Sequence, residues 1–97
     1  MKAYSLSPLA ERDLDDIAEY TTDIWGPKQA VKYINALFVC FDRIALDPGL
    51  GRRCDSIHPG YRRIEEGKHV IFFTSVGSGV FINRILHQSM LPSRHEI

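Results

Sequence analysis

Three observations predict an α+β domain. Two long stretches with apolar residues at helical spacing occupy the first half of the chain, from Pro8 to Ala45. Three runs rich in β-branched and aromatic residues follow between Gly60 and His87, broken at Gly67 and again at Gly77 to Gly79, as an antiparallel meander requires. Helical and strand patterns are segregated rather than alternating, which favours a helical hairpin laid on one face of an antiparallel sheet. The expected order is an N-terminal strand, an antiparallel two-helix hairpin and a three-stranded antiparallel meander.

Met1 to Leu6 reads as the opening strand and stops at Ser7-Pro8. Ser7 can cap the N–H groups that follow it, and Pro8 suits the first helical position, where an N–H would lack a partner anyway. Ala10, Leu14, Ile17, Ala18, Thr21, Ile24 and Trp25 form the apolar stripe of the first helix, with Glu11, Asp13, Asp15, Asp16, Glu19 and Asp23 on its solvated side. Gly26-Pro27 ends this helix and starts the next, so the two fold back as a hairpin. The second stripe is Ala30, Ile34, Leu37, Phe38, Phe41, Ile44 and Ala45. Val31, Val39 and Cys40 widen it beyond one seam, which predicts contact with the sheet or a patch for another protein.

Asp47-Pro48-Gly49 stops the second helix, and Gly49 to Pro59 reads as a loop. In the meander, Val70 to Phe73 is apolar on both faces, the pattern of a central strand. The last run carries an anomaly. A period of two puts Arg84 on the same face as Val80, Ile82 and Leu86, so a guanidinium falls where an apolar side chain is expected. It needs carbonyls or an acid such as Glu65 or Asp13 to satisfy it. With the hairpin on one side, the opposite sheet face is expected to be open, because the remaining material is a polar tail from about Gln88, broken by Pro92.

The chain has 97 residues, enough for one domain spanning 1–97 that buries roughly 60 to 70% of its unfolded surface. Lys plus Arg equals Asp plus Glu at 12 each, so the overall charge does not mark a polyelectrolyte binder, and only a local basic patch is compatible with it. There is no leader pattern and no apolar run of bilayer length, so the sequence reads as cytoplasmic with no membrane partner. Two cysteines make no disulfide framework. Cys54 and His58 lack a second ligand pair, and neither a metal nor a cofactor is expected.

Leu6-Ser7-Pro8, Ala10, Asp13-Leu14, Ile17 and Tyr20, then Gly26, Ala30, Tyr33 and Leu37, then Pro48, Gly51 and Arg52 resemble the ParE toxins of the RelE/ParE superfamily. The resemblance continues through Gly60-Tyr61-Arg62, Gly67 to Phe73, and Ile82-Asn83-Arg84-Ile85-Leu86-His87 with Met90, covering about Tyr4 to Met90. One departure is local: Leu91-Pro92 stands where these toxins often have an acidic residue after the methionine. The resemblance implies a toxin of a bacterial toxin-antitoxin pair, neutralised by a ParD-type antitoxin and directed at DNA gyrase. It would carry no chemistry and would meet nucleic acid only indirectly, through gyrase or the antitoxin complex.

Arg62, Arg84, His87, Met90 and Leu91 are the residues expected to contact the target. Val31 and Val39 on the hairpin, with Tyr61 and Phe81 on the sheet, are expected to contact the antitoxin. The sister RelE branch, which cleaves messenger RNA on the ribosome, is the alternative. RNA cleavage needs a proton acceptor, a proton donor and cations around the phosphate, which Arg62, Arg84 and His87 could supply. Arg84 and His87 are an odd number of positions apart, however, so on a regular strand they point to opposite faces and form no single constellation unless a bulge intervenes. His69 is read as structural.

Overall fold

The structure, a computed structural model, describes residues 4–90. Its elements run β1 (Tyr4–Leu6), α1 (Pro8–Trp25), α2 (Pro27–Leu46), a 3-10 turn (Pro48–Leu50), β2 (Arg52–Arg53), β3 (Arg62–Glu66), β4 (His69–Val76), β5 (Gly79–His87) and a closing 3-10 turn (Gln88–Met90). The sheet order is β1-β5-β4-β3-β2, with β1 parallel to β5 and the other pairs antiparallel. The predicted meander is thus the centre of a five-stranded mixed sheet. The opening strand joins one edge, and a two-residue strand inside the presumed loop joins the other.

Local chemistry sets the boundaries. Ser7 Oγ accepts the Ala10 N–H at 2.9 Å and donates to the Asn83 carbonyl at 2.7 Å. Its own N–H bonds the Ile82 carbonyl at 2.9 Å, so the residue that caps α1 also fastens it to β5. Gly67 and Gly77 have φ of 59° and 49°, and the residues after them do not share the positive sign. Glycine at the first central position is the type II′ signature, whose twist matches the flanking strands.

Ala10, Leu14 and Ile17 of α1 and Leu37, Phe41 and Ile44 of α2 pack on Ile71, Phe73, Val80, Ile82 and Ile85 of the sheet. Each fully buried large side chain contributes roughly 1.5 to 3 kcal/mol relative to exposure. Thr21 is the last buried residue of α1. Ile24 and Trp25 belong to the same helical stripe but are exposed, because the periodicity persists one turn beyond the covered part of the helix. Of the three apolar residues outside the α2 stripe, Cys40 is buried in the core and Val31 and Val39 are exposed.

Two expectations are corrected. Phe72 pairs with Arg84 but Phe73 pairs with Ile82, so Asn83 is the extra residue of a β-bulge. Val80, Ile82 and Ile85 therefore face the helices, while Leu86 turns to the other side with Val70 and Phe72, and Arg84 follows it. The bulge lies where β1 ends and Ser7 takes the Asn83 carbonyl. The opposite face is also not fully open. Cys54 and Ile57 of the loop before β3 fold back with Tyr61 onto Val70, Phe72 and Leu86. The Cys54 N–H bonds the Tyr61 carbonyl at 2.9 Å, and Asp55 accepts the Gly60 N–H at 2.8 Å, so the segment has a framework that a connector lacks. Among the described residues, no helix is long and apolar enough to cross a membrane.

Candidate functional site

β1 pairs with β5 only from Val80 to Ile82. Beyond the bulge, Asp13 of α1 takes the place of a neighbouring strand and accepts the Ile85 N–H at 2.9 Å. The same carboxylate receives Arg84 Nε at 2.9 Å and Nη2 at 3.0 Å, a bidentate fork. Both side chains are largely buried. The hydrogen bonds to Asp13 raise the Arg84 pKa above its ordinary value.

Beside this clamp a groove of about 920 Å³ runs between α1, the first turns of α2 and the adjoining ends of β4 and β5. Ile17, Trp25, Ile85 and Met90 give it apolar walls, and Tyr33, Lys68, His69 and His87 give it a polar end. The Tyr33 hydroxyl accepts the Lys68 N–H at 2.9 Å and stands 2.6 Å from His69 Nδ1. Tyr33 has one proton to give. The Glu66 carbonyl also lies within its reach at 3.4 Å, and which acceptor takes it follows the His69 tautomer. Burial first, and then the neighbouring His87, hold His69 below its ordinary 6.5. Burial likewise pushes the Tyr33 phenol above 10.0. The His69 and His87 rings meet edge to face at 5.3 Å, and His87 Nδ1 accepts the Ser89 N–H at 3.1 Å, tying the closing turn to the strand.

The groove brings together Arg84, His87 and Met90 of the expected target-contact residues. Arg84 and His87 leave the strand toward opposite faces, yet both line it, because the guanidinium reaches Asp13 on the β5 edge. Arg62 is elsewhere: on β3, it donates to the Gly51 carbonyl at 2.9 Å. Leu91 lies outside the described residues. The four expected antitoxin contacts fall on two surfaces. Val31 and Val39 are exposed on α2, whereas Tyr61 packs on the opposite sheet face and stacks on His58 at 4.5 Å. Phe81, between the core residues Val80 and Ile82, points to that opposite face as well.

Sequence reasoning missed Tyr33 and Trp25 as groove residues and gave Tyr20 no role there. A helical stripe reports which side is apolar, not which part of it the sheet leaves uncovered. The bulge had a faint signal, since asparagine is depleted from strand interiors. Chemically, apolar walls with a few polar groups at one end suit an amphipathic polypeptide segment. The Arg84 guanidinium is committed to Asp13.

Comparisons with known proteins identify the family and the fold. Residues 4–92 match the family described as ParE toxin of type II toxin-antitoxin system, parDE. The chain is 43% identical over 93 residues to Toxin ParE1 of Mycobacterium tuberculosis, covering 95% of each chain. It is 44% identical over 95 residues to Toxin ParE1 of Caulobacter vibrioides, covering 98% of each. A solved chain of the chromosomal ParDE TA system from P. aeruginosa has the same fold, with a TM-score of 0.75 at 24% identity over 90% of this chain and 96% of that one. Near-full-length identity at this level, on a strand, hairpin and sheet that the solved fold shares, shows that the chain belongs to the ParE toxin family of type II toxin-antitoxin systems.

Proposed function

We propose that this toxin acts in the cytoplasm by binding DNA gyrase, without chemistry of its own, and that a ParD-type antitoxin neutralises it. The observation that carries this reading is the family match across residues 4–92. The site supports a binding role. The Arg84 guanidinium is ion-paired to Asp13, so it is not free to meet a phosphate beside His69 or His87. The messenger-RNA cleavage alternative would draw on Arg62, Arg84 and His87, and Arg62 is on a different strand, away from the groove.

In this reading Met90, Leu91 and His87 form the target-facing end, with Arg84 as their internal support. The antitoxin covers the groove and the exposed Val31 and Val39, which would hide the target-facing end as well. Expressing the chain without an antitoxin tests it, with growth, the DNA-damage response and transcript integrity recorded together. Growth arrest with DNA damage and intact transcripts is expected. Transcript cleavage without DNA damage would replace gyrase with RNA as the target, and normal growth would leave a chain that only binds its antitoxin.

A further inference from the structure

The balanced charge of the chain conceals a segregated one. β2 and β3 pair in the register Arg52↔Arg63 and Arg53↔Arg62, so both rungs set arginine against arginine. Like charges directly across an antiparallel pair destabilise it. β2 is also the last strand of the sheet, and its Arg52 and Arg53 side chains are 69% and 71% exposed. Among the described residues, two carboxylates pair with three of the four guanidiniums. Glu65 receives Arg52 at 3.0 Å and Arg63 at 3.1 Å, and Asp55 receives Arg53 at 2.7 Å. Arg62 donates to the neutral Gly51 carbonyl, and Arg63 Nε is buried without a hydrogen-bond partner among the described residues.

Successive strand residues alternate in direction, so Arg52 and Arg63 flank one side of the sheet edge and Arg53 and Arg62 the other. Charge on an edge strand keeps sheets from pairing with one another, but that purpose does not call for one sign in opposed rungs. Asp55 reports the local field: the Gly60 N–H, then Arg53, hold its carboxyl below 3.8.

We propose that this arginine edge is a binding surface for the phosphodiester backbone of duplex DNA, contacted without regard to base sequence. Guanidiniums grip phosphate oxygens with paired N–H donors, and a duplex carries about one charge per 1.7 Å of axis, dense enough to engage both flanks at once. Single-stranded nucleic acid would require open aromatic faces for its bases. The nearby rings are occupied, since Tyr61 stacks on His58 and Phe72 is buried with Arg63 over it. The family resemblance implied only indirect contact with nucleic acid, and the zero net charge left room for a local basic patch alone; the β2–β3 register assembles such a patch, whether or not gyrase is the target.

The test is fluorescence anisotropy of a labelled random-sequence duplex with the full chain, from about 50 to about 200 mM salt. Affinity should fall with salt along a log–log slope of about 3 to 4, near 0.9 per phosphate. The double variant Arg52→Gln/Arg53→Gln, at exposed positions and checked for folding by circular dichroism, should weaken binding about tenfold or more and lower the slope by about 2. Glu65→Gln, which releases Arg52 and Arg63, should tighten binding. Lys28→Gln/Lys32→Gln, on α2, should leave it unchanged. The proposal is overturned if no duplex binds at the lowest salt, or if the arginine variant keeps the parent slope. It is equally overturned if single-stranded RNA or polyglutamate binds as tightly as the duplex.

Discussion

Asp13 serves three donors at once: two nitrogens of Arg84 and the Ile85 N–H on the edge that β1 does not reach. Removing it leaves a largely buried guanidinium and a strand N–H unpaired. Asp13→Ala should therefore cost about 3 kcal/mol or more. Arg84→Ala, which leaves Asp13 bound to the Ile85 N–H, should cost about 1 to 3 kcal/mol. Urea unfolding of both variants measures this, and equal midpoints would refute the ordering. A second residue-scale effect belongs to His69. The unfolded histidine titrates near 6.5 and the folded one below it, so the unfolded chain takes up this proton first as the pH falls. The contribution is complete above about 6.5 and is lost as the pH descends from there toward the folded value. Thermal melts at neutral and mildly acidic pH should show the advantage of wild type over His69→Gln shrinking in acid. A constant gap would exclude burial of His69 as a source of acid sensitivity.

At the scale of elements, the β3–β4 turn and α2 are built for each other. Gly67 has φ 59°, and a Cβ there would stand 2.7 Å from Tyr33 Cε1 and its hydroxyl oxygen. Glycine thus answers both a turn requirement and a close approach. Gly67→Ala should cost more than about 1 kcal/mol, and it should also weaken the pH dependence, because displacing the Tyr33 ring uncovers His69, whose burial depresses its pKa. Denaturant titration at two pH values checks both, and a neutral result would mean that the turn relaxes away from the helix. The same scale explains the bulge at Asn83. A straight β5 would place Arg84 with Val80 and Ile82 under the helices, whereas the extra residue moves it to the edge facing Asp13.

For the whole molecule, the question is what a neutralising partner can reach. Part of the sheet face opposite the hairpin is already covered by Cys54, Ile57 and Tyr61, which leaves the groove and the outer side of α2 as the main apolar surfaces. A partner that folds along both would be ordered by binding. Val31→Lys/Val39→Lys should shift stability by no more than about 0.5 kcal/mol, because both residues are exposed. Antitoxin affinity should fall about tenfold, equivalent to about 1.4 kcal/mol. Calorimetric titration beside limited proteolysis of the antitoxin measures this. Unchanged affinity together with unprotected antitoxin would remove α2 from the interface.

The sequence alone determined the element types and their order, since helical and strand periodicities are written in neighbouring residues. Ser7-Pro8, Gly26-Pro27, Gly67 and Gly77 mark boundaries for reasons as local as a missing N–H or a positive φ. The need to satisfy Arg84 was also legible, with Asp13 among its possible partners. Tertiary structure decided the rest, because it depends on residues far apart in the chain. The hydroxyl of Ser7 reaches Asn83, and the bulge there reverses the faces of Arg84 and Leu86. Tyr33 meets His69 only once α2 lies against the β3–β4 turn. The opposed arginines of β2 and β3 exist as rungs only through strand register, which the chain's zero net charge does not reveal.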